Sequence, residues 1–227
     1  MSPSRPRTHP GLPSRTRRLL AGAALGLVLA LPLSCRDRHS EPFPGLVNLA
    51  GQPVLPFSDG TSGVAPGSSQ APGTAGLAQS TKAFVFIFVG SDCPISNKYA
   101  PELARLQARY ASRGVRFQIV YPGDTGTPAE LQKHGKDYGY TGEAWRDPKL
   151  ALARLAGVRV TPEAALFRPN GTLAYRGRID DRFSALNAER PAPGRRDLEE
   201  ALNEVLAGTP VSQPRLPAVG CFIPGLR

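Results

Sequence analysis

"VGSDCPISNKYAPELARL" (residues 89–106) decides how this fold is read. An apolar, β-rich run, "AFVFIFV" (83–89), leads into it. Such a run suits a central strand covered on both faces. Helical spacing follows: Tyr99, Leu103, Leu106 and Tyr110 share one face, and Gly114 stops the pattern. Pro101 lies inside this helix and should kink it. Cys93 therefore stands where strand gives way to helix. Unpaired N–H groups and the helix dipole favour a thiolate there, which makes Cys93 a candidate nucleophile. Pro94 follows, and it needs no N–H partner at a first helical position. Asp92 opposes a low thiol pKa by like charge. The plainer alternative for Cys93 is an inert packed thiol.

Working outward, "VRFQIVY" (115–121) alternates and reads as a second strand. Thr127-Pro128-Ala129-Glu130 opens a helix with a cap residue, a first-position proline and a third-position glutamate. Asp147-Pro148 opens another, ended by Gly157. Asp197 opens the last, with Leu198, Ala201, Leu202, Val205 and Leu206 on one face and Gly208 after it. Between these two, "EAALF" and "TLAYRGRI" flank "RPNG", where Asn170-Gly171 offers the positive φ angles of a tight hairpin turn. The order is strand, helix, strand, helix, helix, hairpin, helix. Parallel crossovers plus an antiparallel hairpin give an α/β fold with a mixed central sheet flanked by helices. Residues 45–224 form this domain, and "GLVNLAGQPVLPF" (45–57) reads as an edge strand and hairpin. Residues 58–80 are Gly/Ser/Pro/Ala-rich and carry too little apolar surface to offset ordering entropy, so a flexible insertion is expected.

Charge and cysteine usage bound the setting. The 227-residue chain carries a formal charge of +10, five of it from Arg5, Arg7, Arg15, Arg17 and Arg18. No basic run interleaves with aromatics elsewhere, which excludes nucleic acid as an expected partner. Residues 1–35 read as a signal peptide: a basic flank, an uncharged stretch from Leu19 to Ser34, then Cys35. The stretch is short for a membrane span of about 20 residues. "LPLSC" resembles a lipoprotein processing box, which would lipidate Cys35 and anchor the protein to a membrane, although Pro32 stands where that box has leucine. Residues 36–44 read as a spacer. Export to the bacterial cell envelope is the expectation, a setting in which disulfides persist.

"FIFVGSDCPISNKYAPE", "VRFQIVYPGD", "AWRDPKLAL", "GVRVTPEAALFRPNG", "YRGRIDDRF" and "PAVGCFI" together resemble the thioredoxin-like superfamily, specifically exported redoxin-domain proteins related to the thiol-specific antioxidant family. The resemblance implies a thioredoxin-like fold. It implies that Thr161-Pro162 is a cis-proline loop facing Cys93, with Pro94, Thr161 and Pro162 shaping the substrate face. Ser96 stands where disulfide reductases carry a second cysteine, so a mixed disulfide on Cys93 has no local resolving thiol. Phe86 and Gly90 occupy the proline and hydroxyl positions of peroxiredoxins. Copper-delivery relatives need two close cysteines and a placed histidine, whereas only His39 and His134 lie beyond the leader core, so no metal and no cofactor is assigned. Cys221 is the remaining candidate resolving thiol, if the tail folds back. The leading expectation is thiol–disulfide exchange at Cys93 with a protein or small-molecule disulfide, served by Cys221 or an external thiol reductant. Thiol-dependent peroxide reduction and a non-catalytic binding module of an envelope respiratory complex are the alternatives. His134 and Trp145 read as structural. Arg176, Arg178, Asp180, Asp181 and Arg182 read as a solvated charged turn, with substrate steering as the alternative.

Overall fold

The computed structural model describes residues 43–58, 80–123 and 126–226. The expected leader with Cys35, most of the spacer and nearly all of the 58–80 insertion lie outside the described residues.

Strand β2 (Ala83–Phe88) is buried along its whole length. Its alternation sorts side chains into two cores. Val85 and Ile87 pack with Tyr99, Leu103 and Leu106 of helix α1 (Pro94–Ala111). Phe84, Phe86 and Phe88 face the opposite cluster, with Trp145, Leu152 and Phe167. Burying each such aromatic contributes about 1.5–3 kcal/mol, and a strand apolar on both sides has no stable place except the middle of a sheet.

That is where it lies. Strand β3 (Val115–Pro122) runs parallel to β2, and β4 (Ala144–Asp147) parallel to β3. Strand β1 (Val47–Asn48) closes that edge antiparallel to β4, and Val47 bridges Pro53 to complete the expected edge hairpin. On the other side, β6 (Glu163–Phe167) and β7 (Leu173–Gly177) add antiparallel strands, giving the six-stranded order β1-β4-β3-β2-β6-β7. Helix α2 (Pro128–Tyr138) starts from the expected capping box between Thr127 and Glu130. Helices α3 (Ala151–Ala156) and α4 (Asp197–Leu206) complete the layers. Two-residue strand β5 (Val160–Thr161) precedes β6, and β8 (Phe183–Ala185) pairs with β9 (Ala188–Glu189).

Four details differ from the sequence reading. Strand β4 was not expected, because four residues alternating between half-buried and buried leave too short a signal. Helix α3 starts at Ala151 rather than at Asp147-Pro148; Leu150 adopts φ 56°, and the Asp147 carboxylate reaches forward to accept the N–H groups of Ala151 and Ala153, both at 2.8 Å. In the β6–β7 turn Gly171 alone takes a positive φ, 75°; its N–H donates to the Arg168 carbonyl, so the turn spans four residues rather than a two-residue Asn-Gly bend. Finally, residues 176–182 are no solvated turn. Arg178 meets Asp197 at 2.6 Å, Asp180 is 1% exposed, and Asp180 accepts the Tyr99 hydroxyl at 2.5 Å. Opposite signs within reach allow these charges to leave water, which unpaired charges could not do.

Candidate active site

Cys93 is the N-cap of α1 and is fully buried. Its N–H donates to the Gly90 carbonyl at 3.2 Å, and its thiol donates to the Thr161 carbonyl at 2.9 Å. Gly90 permits this approach, since a Cβ there would sit 2.9 Å from the Thr161 hydroxyl and 3.1 Å from the Cys93 Cβ. The Thr161–Pro162 peptide bond is cis. A cysteine at a helix start after a central strand, faced by a cis-proline loop before an antiparallel hairpin, decides the class. The fold is thioredoxin-like.

The C-terminal tail completes the site. After α4 the chain returns along β7: the Arg176 N–H donates to the Pro214 carbonyl at 3.0 Å, and the Leu216 N–H to the Arg176 carbonyl at 3.1 Å. Strand β10 (Cys221–Phe222) then pairs antiparallel with β5, placing Cys221 opposite Thr161. Beyond it, the Ile223 N–H donates to the Arg159 carbonyl at 3.0 Å, and the Ile223 side chain enters the aromatic core. Gly220 makes the contact possible, because a Cβ at this position would run into the Thr161 carbonyl. Both Cys93 and Cys221 are free thiols.

Electrostatics divide the two thiols. Burial pushes the Cys93 thiol up. The Ser96 hydroxyl, the Cys221 thiol and the backbone N–H groups of both residues outweigh it, holding Cys93 below its ordinary value. Cys221 moves the other way, pushed up to about 11 by its own burial and by the Cys93 thiolate beside it, with the Asp92 carboxylate adding to both. Ser96 is fully buried, and its Oγ accepts the Gly90 N–H at 3.2 Å. Its own proton is then available to the sulfur. The Ser96 carbonyl in turn accepts the Tyr140 hydroxyl at 2.6 Å.

Behind this shell, His134 bridges Asn97 Oδ1 through Nε2 and the Tyr121 hydroxyl through Nδ1, both at 2.8 Å. Asn97 offers an acceptor there, which assigns the proton to Nε2 and makes Tyr121 the donor to Nδ1. Burial lowers the His134 pKa against the raising effect of Asp137, consistent with a neutral ring locking α2 to α1. In front, a cavity of about 420 Å³ opens onto Cys221 between Gly90, Ser91, Asp92, Pro122 and Phe222.

Of the residues singled out from sequence, Cys93, Thr161, Pro162 and Cys221 come together. Pro94 begins α1 on the exposed side, and Cys35 lies outside the described residues. Sequence reasoning treated Ser96 only as a missing cysteine and Gly90 only as a missing hydroxyl, and passed over Gly220. The signal for Gly220 was present in "VGCFI", a glycine directly before the tail cysteine. Among the described residues no group of three or more His, Cys, Asp or Glu is placed to hold a metal ion.

No family model and no curated protein matches the chain. Solved structures do. An uncharacterised conserved protein from Geobacillus kaustophilus is 27% identical over 63% of this chain and 77% of its own, with a TM-score of 0.56. A hypothetical protein from Sinorhizobium meliloti is 25% identical over 63% and 79%, with a TM-score of 0.53. A thiol:disulfide interchange protein of the thioredoxin family from Chlorobium tepidum covers 74% of this chain and 98% of its own at 14% identity and a TM-score of 0.45.

Proposed function

We propose that this protein is a thiol–disulfide oxidoreductase whose redox couple is Cys93 and Cys221. The observation that carries this reading is the meeting of Cys93 with Cys221 beside the cis-proline loop, held there by the β10–β5 pairing. The Cys93–Cys221 bond forms as a partner disulfide is reduced to two thiols, or breaks as two partner thiols are oxidised to a disulfide, and each leaving thiolate takes a proton. Cys221 supplies the second thiol that a cysteine at position 96 supplies in Cys-x-x-Cys proteins. Electrons pass between sulfurs alone. The partner is a protein or small-molecule thiol or disulfide. Export to the cell envelope, with lipidation at Cys35 as a membrane anchor, is part of the same reading and rests on residues 1–35. Peroxide reduction has less support, because Phe86 and Gly90 supply neither the proline nor the hydroxyl of a peroxidase site.

The test is oxidation of the full chain with oxidised glutathione, followed by non-reducing peptide mapping. A Cys93–Cys221 cross-link is expected, and Cys93→Ser or Cys221→Ser should abolish exchange with a dithiol substrate. Both thiols remaining free in the wild type would sink the proposal.

A further inference from the structure

The two sulfurs of the proposed couple differ in access. Cys93 is 0% exposed, covered by the tail that carries Cys221. Cys221 is half-buried and lines the open cavity with Ser91, Asp92 and Phe222. Phe222, the next residue, is 83% exposed, an apolar side chain held out beside the sulfur. The tail is fixed on both sides of Cys221, by Leu216 on β7 and by Ile223 in the core. A partner sulfur must approach a disulfide in line with the S–S bond, from behind the sulfur it attacks. Cys221 lines the open cavity, whereas Cys93 is fully buried at the start of α1.

We infer that the partner exchanges at Cys221, not at Cys93: an incoming thiol forms its mixed disulfide on the tail cysteine, and Cys93 serves as the buried leaving and resolving sulfur. This rests on the Cys93–Cys221 couple proposed above and adds which of its two thiols meets the partner.

The step balances. A partner thiolate, RS⁻, attacks Cys221 Sγ of the oxidised protein. The Cys93–Cys221 bond breaks, the RS–Cys221 bond forms, and the electron pair leaves on Cys93. That thiolate is received by the Ser96 hydroxyl and backbone N–H. A second partner thiolate attacks the partner sulfur of the mixed disulfide, releasing RSSR and leaving Cys221 to take a proton. Two partner thiols are oxidised and one protein disulfide is reduced. A sulfur that leaves as a stabilised thiolate leaves faster, so burial and leaving-group quality select the same point of attack. In the reverse direction, Cys93 attacks the mixed disulfide on Cys221, expels the partner thiolate and closes the internal bond. The partner class that fits is a thiol on a small molecule or a protruding loop able to enter a cavity of this size beside Phe222.

The test uses the oxidised full chain. A short pulse of N-acetylcysteine at neutral pH is quenched in acid, and the protein is digested with pepsin at acid pH, where exchange is frozen. Mass mapping then locates the adduct. Adduct on Cys221 at about tenfold or more over Cys93 is expected, given the access and leaving-group arguments. Adduct mainly on Cys93, or equal on both, overturns the inference and means that the tail lifts before exchange. A starting material with no Cys93–Cys221 cross-link fails the redox-couple reading itself, and the inference falls with it. The starting cross-link and the adduct position are read from separate peptides, so the two failures are distinguishable.

Discussion

Ser96 stands where a second cysteine would make the site a Cys-x-x-Cys dithiol, and it keeps half of that residue's work. It cannot resolve a mixed disulfide, but its buried hydroxyl and N–H both stabilise the Cys93 thiolate. A hydrogen bond to a charged group contributes about 1.5–3 kcal/mol, so Ser96→Ala should cut the thiolate fraction of Cys93 at pH 7 on the order of tenfold. The readout is the far-ultraviolet thiolate absorbance of the reduced protein as pH rises. Cys93 should ionise first, below its ordinary value, and Cys221 after it, at about 11. In Ser96→Ala the first step should move to higher pH, toward the second. A first step that stays in place would show that Ser96 is only packing. Cys93 was legible in sequence because the apolar strand before it and the helical pattern after it fix its place at a helix start, where a thiolate is stabilised. Ser96 was not, because a serine at that position says what is missing and nothing about where its proton points.

At the scale of elements, the tail strand carries the site. Sequence named Cys221 as a possible partner but could not place it, since a two-residue strand in a proline-rich tail gives no periodic signal. What places it is local: Leu216 on β7, Ile223 in the core, and Gly220 letting the backbone touch the Thr161 carbonyl. Gly220→Ala adds one methyl group against backbone. Overpacking of this kind costs about 1–3 kcal/mol, which should raise the open fraction of the tail, and with it maleimide alkylation of Cys93, by roughly 5- to 150-fold. Unchanged alkylation would mean that β10 holds by other contacts. The sheet shows the same division. β2, β3, β6 and β7 were readable from runs or alternation, whereas β4 needed β1 and β3 on either side to be a strand at all. The charges at 176–182 were misread for a related reason. Their partners, Glu163, Tyr99 and Asp197, come from three distant segments.

For the molecule as a whole, a Cys93–Cys221 bond would tie the start of α1 to the chain end. It would close a loop of about 130 residues, for which chain entropy alone gives roughly 5 kcal/mol of stabilisation. The hydrogen bonds that hold the Cys93 thiolate stabilise the reduced form and offset part of this. The oxidised protein should therefore melt above the reduced one by at least about 5 °C, taking roughly 2–4 °C per kcal/mol at this size. The difference should vanish in Cys221→Ser, and scanning calorimetry with and without reductant measures it. Equal melting temperatures would count against a loop closed without strain. The pairing of β10 with β5 has one more consequence. A tethered strand presents itself at an effective concentration in the millimolar range. Any free extended peptide seeking the backbone of Val160 and Thr161 competes with an occupant that never diffuses away. Selectivity at this edge thus passes from recognition of a partner's main chain to recognition of whatever can reach a single sulfur atom.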